Sequence, residues 1–139
     1  MIRVTIFLLV FFCSVSTAMP EILVVVNKEN ETTELTRSQI VDLYMGRYQN
    51  FPNGEAAFPL DHPPDSEIRS DFYRKMVNKS VAEVNAYWAR LLFSGRASPP
   101  RVFSDSAAVI KAVSENRGAI GYIERSDLDD SIKVVGRAE

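Results

Sequence analysis

Ser66, His62 and Arg69 fall in one short stretch, PLDHPPDSEIRSDFYRKM, which runs from Pro59 to Met76. Pro63 and Pro64 fix the entry of the chain into what reads as a helix, and the first N–H groups of a helix have no partner within it. Such a start suits an anion. Ser66 offers a hydroxyl and a backbone N–H, and His62 and Arg69 offer positive charge. Asp61, Asp65 and Glu67 stand against this. Carboxylates near a helix start stabilise it by about 0.3–1 kcal/mol each and repel an incoming phosphate, and Asp65 or Ser66 can serve as the cap. The residues alone leave two readings open: a helix start that awaits a phosphate-like ligand, and one that its own side chains satisfy.

Other chemistry is sparse. The sequence has one histidine, His62, and one cysteine, Cys13. It has no G-x-S-x-G elbow, no P-loop and no G-x-G-x-x-G. A metal would have to use His62 with Asp61 and Asp65, a poor spacing for zinc. The sequence therefore predicts no metal, no cofactor and no catalytic residue. The ordinary role for His62 is a surface turn or a hydrogen bond at the helix end. In GRASPPRVF, Arg96 and Arg101 come near Trp88 and Phe103, as the rim of a site for a partner or an anion, or as solvated loop residues.

These residues need a frame, and hydrophobic patterning supplies it. EILVVVN (residues 21–27) is an apolar β-branched run and reads as a strand buried on both faces, as in a parallel sheet. LTRSQIVDLYMG predicts a helix with Thr36 as N-cap, Gln39 as its capping-box partner and Gly46 as the stop. Pro52-Asn53-Gly54 marks a turn, and AAFPL a short strand. The helix that begins near Ser66 has Ile68, Phe72, Tyr73 and Met76 on one face. A further helix carries a Ser80–Glu83 capping box and an apolar face of Val84, Tyr87, Trp88, Leu91 and Leu92. RVF is a short strand. SDSAAVIKAVSENRG is a helix capped by Ser104 or Asp105 and stopped at Gly118. AIGYI and IKVV are the last strands. Strands alternating with helices predict an α/β three-layer sandwich with a mainly parallel sheet.

The chain has 139 residues and a net charge of −2, with 46% hydrophobic and 24% charged residues, which suits one globular domain. No basic surface for nucleic acid and no polybasic tract for lipid stand out. The beginning differs in kind. MIRVTIFLLVFFCSVSTAMP has Arg3, an apolar run from Val4 to Phe12, then small residues, and reads as a secretory signal peptide over residues 1–18, cut after Ala18. The run falls short of the about 20 apolar residues that a membrane span needs. The expectation is a secreted, periplasmic domain over residues 19–139, with neither a cysteine nor a membrane span after cleavage.

The ordered set of segments resembles the periplasmic phosphate-binding proteins of ABC transporters. The residues that carry the resemblance are Leu35, Thr36, Leu43, Tyr44, Gly46, Phe51 and Gly54, then Val113 and Gly118 to Tyr122. It implies the fold of one lobe of a type II periplasmic binding protein, where the family has two lobes that clasp the ligand. Set against the family's ligand loop, His62 stands in place of its arginine, and Asp65-Ser66-Glu67-Ile68 in place of Gly-Ser-Gly-Thr. The resemblance implies an exported, non-catalytic binding protein for phosphate or a similar small anion, with Ser66, His62 and Arg69 as the contacts. The alternative is a periplasmic interaction module that keeps the fold without the ligand and pairs with a protein partner or with itself.

Overall fold

The computed structural model describes residues 12–14 and 20–139. Apart from 12–14, the expected signal peptide and its cut after Ala18 lie outside the described residues. From Ile22 onward the chain alternates as expected: β1 (Ile22–Asn27), α1 (Arg37–Tyr44), β2 (Phe58–Asp61), α2 (Glu67–Val77), α3 (Val81–Phe93), β3 (Arg101–Val102), α4 (Ser106–Glu115), β4 (Ala119–Glu124) and β5 (Ile132–Ala138). A single 3-10 turn, Arg125–Asp127, follows β4.

The strands form one sheet in the order β3-β2-β4-β1-β5. β2 runs parallel to β3 and to β4. β1 runs antiparallel to both β4 and β5, so it alone opposes the common direction. The apolar run of β1 was expected in a parallel pairing, and here the structure differs. Its residues are all buried because helices cover both faces of the sheet, and that double cover, whatever the strand direction, is what an unbroken apolar run encodes.

Alternate residues of β1 serve two cores. Ile22, Val24 and Val26 face α1, α2 and α3, against Ile40, Tyr44, Phe72 and Trp88. Leu23 and Val25 face α4, against Val109 and Val113. Phe72 and the Tyr122 ring of β4 stack with centroids 3.8 Å apart, a contact that adds about 0.5–1.5 kcal/mol to the area it buries.

The helix starts follow the sequence closely, with one exception. Thr36–Gln39 and Ser80–Glu83 form complete capping boxes, and the Asp105 carboxylate accepts from the Ala108 N–H. α4 ends at Glu115, ahead of the expected stop at Gly118, with Asn116 closing it. Gly46 follows α1 with φ +70, and a Cβ there would lie 2.7 Å from the Trp88 ring, so both backbone and packing call for glycine. Leu92, expected on the buried face of α3, is 52% exposed.

Candidate functional site

α2 starts differently from its neighbours. Ser66 occupies the N-cap position, yet its side chain caps nothing; the Oγ donates instead to the Pro63 carbonyl at 2.6 Å. The Ser66 N–H also donates to Pro63 O, at 3.0 Å. Asp65 takes no capping bond either. Among the described residues, the N–H groups of Glu67, Ile68 and Arg69 have no acceptor. The other end of the helix is closed: Asn78 turns left-handed at φ 57, and Arg37 donates from Nε to Met76 O at 3.0 Å and from Nη2 to Lys75 O. Of the two readings that the sequence left open, self-capping is not what α2 does.

Beneath this start lies a buried polar cluster centred on Asp61, the last residue of β2. Its Oδ1 accepts from the His62 N–H at 2.9 Å and from the Tyr122 hydroxyl. Its Oδ2 accepts from the Tyr73 hydroxyl at 2.8 Å and from Arg69 Nε at 3.2 Å. Arg69 Nη2 reaches Asn85 Oδ1 at 3.2 Å, and the guanidinium lies over the Tyr73 ring, 5.1 Å from its centroid. Arg69 Nη1 is buried and, among the described residues, has no partner. Burial first, and then the Asp61 charge, push the Tyr44, Tyr73 and Tyr122 phenols well above their ordinary value. These phenols are therefore held as proton donors.

The three expected contact residues are placed differently from one another. Ser66 is half-buried at the helix start. His62 is 2% exposed, and its Nε2 lies 2.7 Å from Tyr122 O. A carbonyl only accepts, so Nε2 carries the hydrogen. The expected surface-turn role for His62 gives way to a buried one, because the residue after β2 points back into the sheet rather than out with Pro64. Arg69 is buried on the inner face of α2, one of the residues that the helix packs inward with Phe72 and Tyr73. Asp61 was expected to repel an anion; it faces Arg69 and the phenols instead. Asp65 and Glu67 remain exposed. Sequence reasoning missed Tyr73, Tyr122 and Asn85 as parts of the cluster. A signal was present: Arg69 precedes Phe72 and Tyr73 by three and four residues, which puts it on their face and demands a buried acid as partner.

Among the described residues no group of three or more His, Cys, Asp and Glu is arranged to hold a metal ion, and no helix is long and apolar enough to cross a membrane.

A mixed sheet with most strands in one direction, helices on both faces and an uncapped helix start following β2 define one lobe of a periplasmic binding protein fold. The chain superimposes on an ABC-type phosphate transport receptor from Vibrio cholerae with a TM-score of 0.68 at 22% identity, over 84% of this chain and 45% of that one. It superimposes equally, TM-score 0.68 at 25% identity, on a protein from Clostridium perfringens assigned as a phosphate ABC transporter substrate-binding protein, with phosphate bound, over 84% and 44%. PstS from Borrelia burgdorferi gives 0.66 at 15%, over 84% and 47%. The chain spans less than half the length of each and resembles a single-lobe version of them. No protein-family model and no curated protein matches the sequence.

Proposed function

We propose that the protein is an exported, non-catalytic binding protein for a small oxyanion, phosphate or one like it, received at the start of α2. One observation carries this reading: α2 alone, of the four helices described, begins without a side-chain cap, so the Glu67, Ile68 and Arg69 amides are free to donate. The likeness to phosphate receptors supports it. Ser66 would turn its hydroxyl from Pro63 O to the anion. Arg69, whose side-chain charge Asp61 balances, would contribute its backbone N–H, and His62 would hold the turn through Tyr122 O. No nucleophile lies beside a base in this cluster, which favours binding over turnover. The secretory pattern of residues 1–18 supports export to the periplasm, with residues 19–139 as the working domain.

Titration calorimetry of the exported protein with sodium phosphate tests the proposal. A bound anion at a hundred times its Kd raises stability by about 2.7 kcal/mol, a shift that thermal melting detects. Absence of both heat and a melting shift at millimolar phosphate rules the reading out. A second reading, an interaction module without a ligand, is favoured by Asp65 and Glu67, whose exposed carboxylates flank the helix start.

A further inference from the structure

Away from α2, a groove of about 1030 Å³ opens at the β2–β3 side of the sheet, between the ends of α1 and α3. Ser66, His62 and Arg69 take no part in its walls. Its apolar lining includes Phe58, Trp88, Leu92 and Tyr48, of which Phe58, Leu92 and Tyr48 are 60%, 52% and 63% exposed. The charged residues lining it are Arg96 and Arg101, with no carboxylate. Neither guanidinium has an ion-pair or hydrogen-bond partner among the described residues. In a chain of net charge −2, this is a local concentration of apolar surface and positive charge, and a surface of that kind marks a protein contact.

Within residues 20–139, the large apolar side chains that stand exposed are Tyr48, Phe58 and Leu92 of the groove, and Phe93, Val102 and Leu128, which do not line it; of these last three, Leu128 is the one flanked by acidic residues. Leu128 sits between β4 and β5 in the sequence Asp127-Leu128-Asp129-Asp130. Its turn is already set: Asp129 Oδ1 accepts from the Ser131 N–H at 2.8 Å, so little ordering cost would attend its docking. Asp127 and Asp130 are exposed and have no partner among the described residues. The residues before the domain make a poorer match, since residues 1–18 carry Arg3 and no acid.

We propose that the groove receives the Asp127–Asp130 turn of a second copy of this chain, with Leu128 in the apolar floor and Asp127 and Asp130 against Arg96 and Arg101. Groove and turn are different surfaces, so the contact is head-to-tail. It stands independently of the anion reading.

Sedimentation of the protein, as recovered from the cells that export it, tests the proposal. The expected result is a mass that rises with concentration and falls back toward one chain in about 0.5 M salt, where screening extends only a few ångström. Arg96→Glu/Arg101→Glu loses association, and so does Asp127→Lys/Asp130→Lys. An equal mixture of wild type with either variant keeps one matched contact per pair, and joining both sets of changes in one chain restores association. A single-chain mass at every concentration, or association that none of these changes alters, overturns it. So does a groove that shifts Trp88 fluorescence with anilinonaphthalene sulfonate, a small aromatic anion, while the protein stays a single chain.

Discussion

Arg69 Nε lies 3.2 Å from Asp61 Oδ2, and both side chains are more than nine-tenths buried. The pair joins the end of β2 to the first turn of α2, so the strand and the helix start are held as one unit. Removing one partner leaves a buried charge uncompensated. Asp61→Ala is expected to cost about 3–5 kcal/mol in urea unfolding, while Asp61→Leu combined with Arg69→Met recovers only part of that loss, because the Tyr73 and Tyr122 hydroxyls and the His62 N–H still lose their acceptor. A small loss for Asp61→Ala would show that the pair does not hold the unit together.

The uncapped start of α2 gives a prediction with opposite signs for stability and binding. Ser66→Asp supplies a cap and a favourable charge at the helix start, and is expected to raise stability by about 0.5–1 kcal/mol while abolishing phosphate binding. Glu67→Gln removes a repelling charge and is expected to tighten phosphate roughly two- to fivefold. Melting curves and calorimetry on the same samples check both.

Alkaline pH should unfold the protein cooperatively. The Tyr44, Tyr73 and Tyr122 phenols are raised well above 10.0 in the folded state, whereas in the unfolded chain they ionise near their ordinary value of about 10. Above that value the unfolded chain binds fewer protons than the native one, so stability falls as pH rises, by about 1.4 kcal/mol per pH unit for each phenol. Below it, the contribution is complete. The phenolate absorbance of these three is expected only together with the loss of near-ultraviolet circular dichroism. Its appearance in the folded protein near pH 10 would contradict the burial.

Gly121 of β4 faces α4 at close range: a Cβ there would lie 2.6 Å from Val109 Cγ1 and 3.3 Å from Val113 Cγ2. Gly121→Ala is expected to cost about 1–3 kcal/mol through overpacking. Val109→Ala in the same chain makes room, so the double variant should be more stable than the sum of the two single losses predicts. Strict additivity in urea unfolding would argue against the contact.

Much of the fold could be read from short-range chemistry. Thr36–Gln39 and Ser80–Glu83 were legible because a capping box is satisfied within a few residues of itself. The strand of β1 was legible because a buried run is apolar, yet its direction was not, since direction is set by which strands flank it and not by its composition. The site divides the same way. The helix start near Ser66 could be found from Pro63, Pro64 and the polar residues around them. Its lack of a cap could not, because the Ser66 hydroxyl can either accept from an N–H of the first helical turn or donate to the Pro63 carbonyl, and the choice of Pro63 O depends on turn geometry. The burial of His62 and Arg69 depends on Asp61, Tyr73 and Tyr122, residues from three elements whose meeting is a property of the topology.

The position of β1 also bears on how the protein is made. Val24 pairs with Tyr122 on one side and Gly136 on the other, so β1 finds neither neighbour until all four helices have been made. Pairings this distant close slowly. β1 therefore waits with its apolar run unpaired while the four helices are made; it can join β4 first, and the sheet is complete only once β5 has arrived.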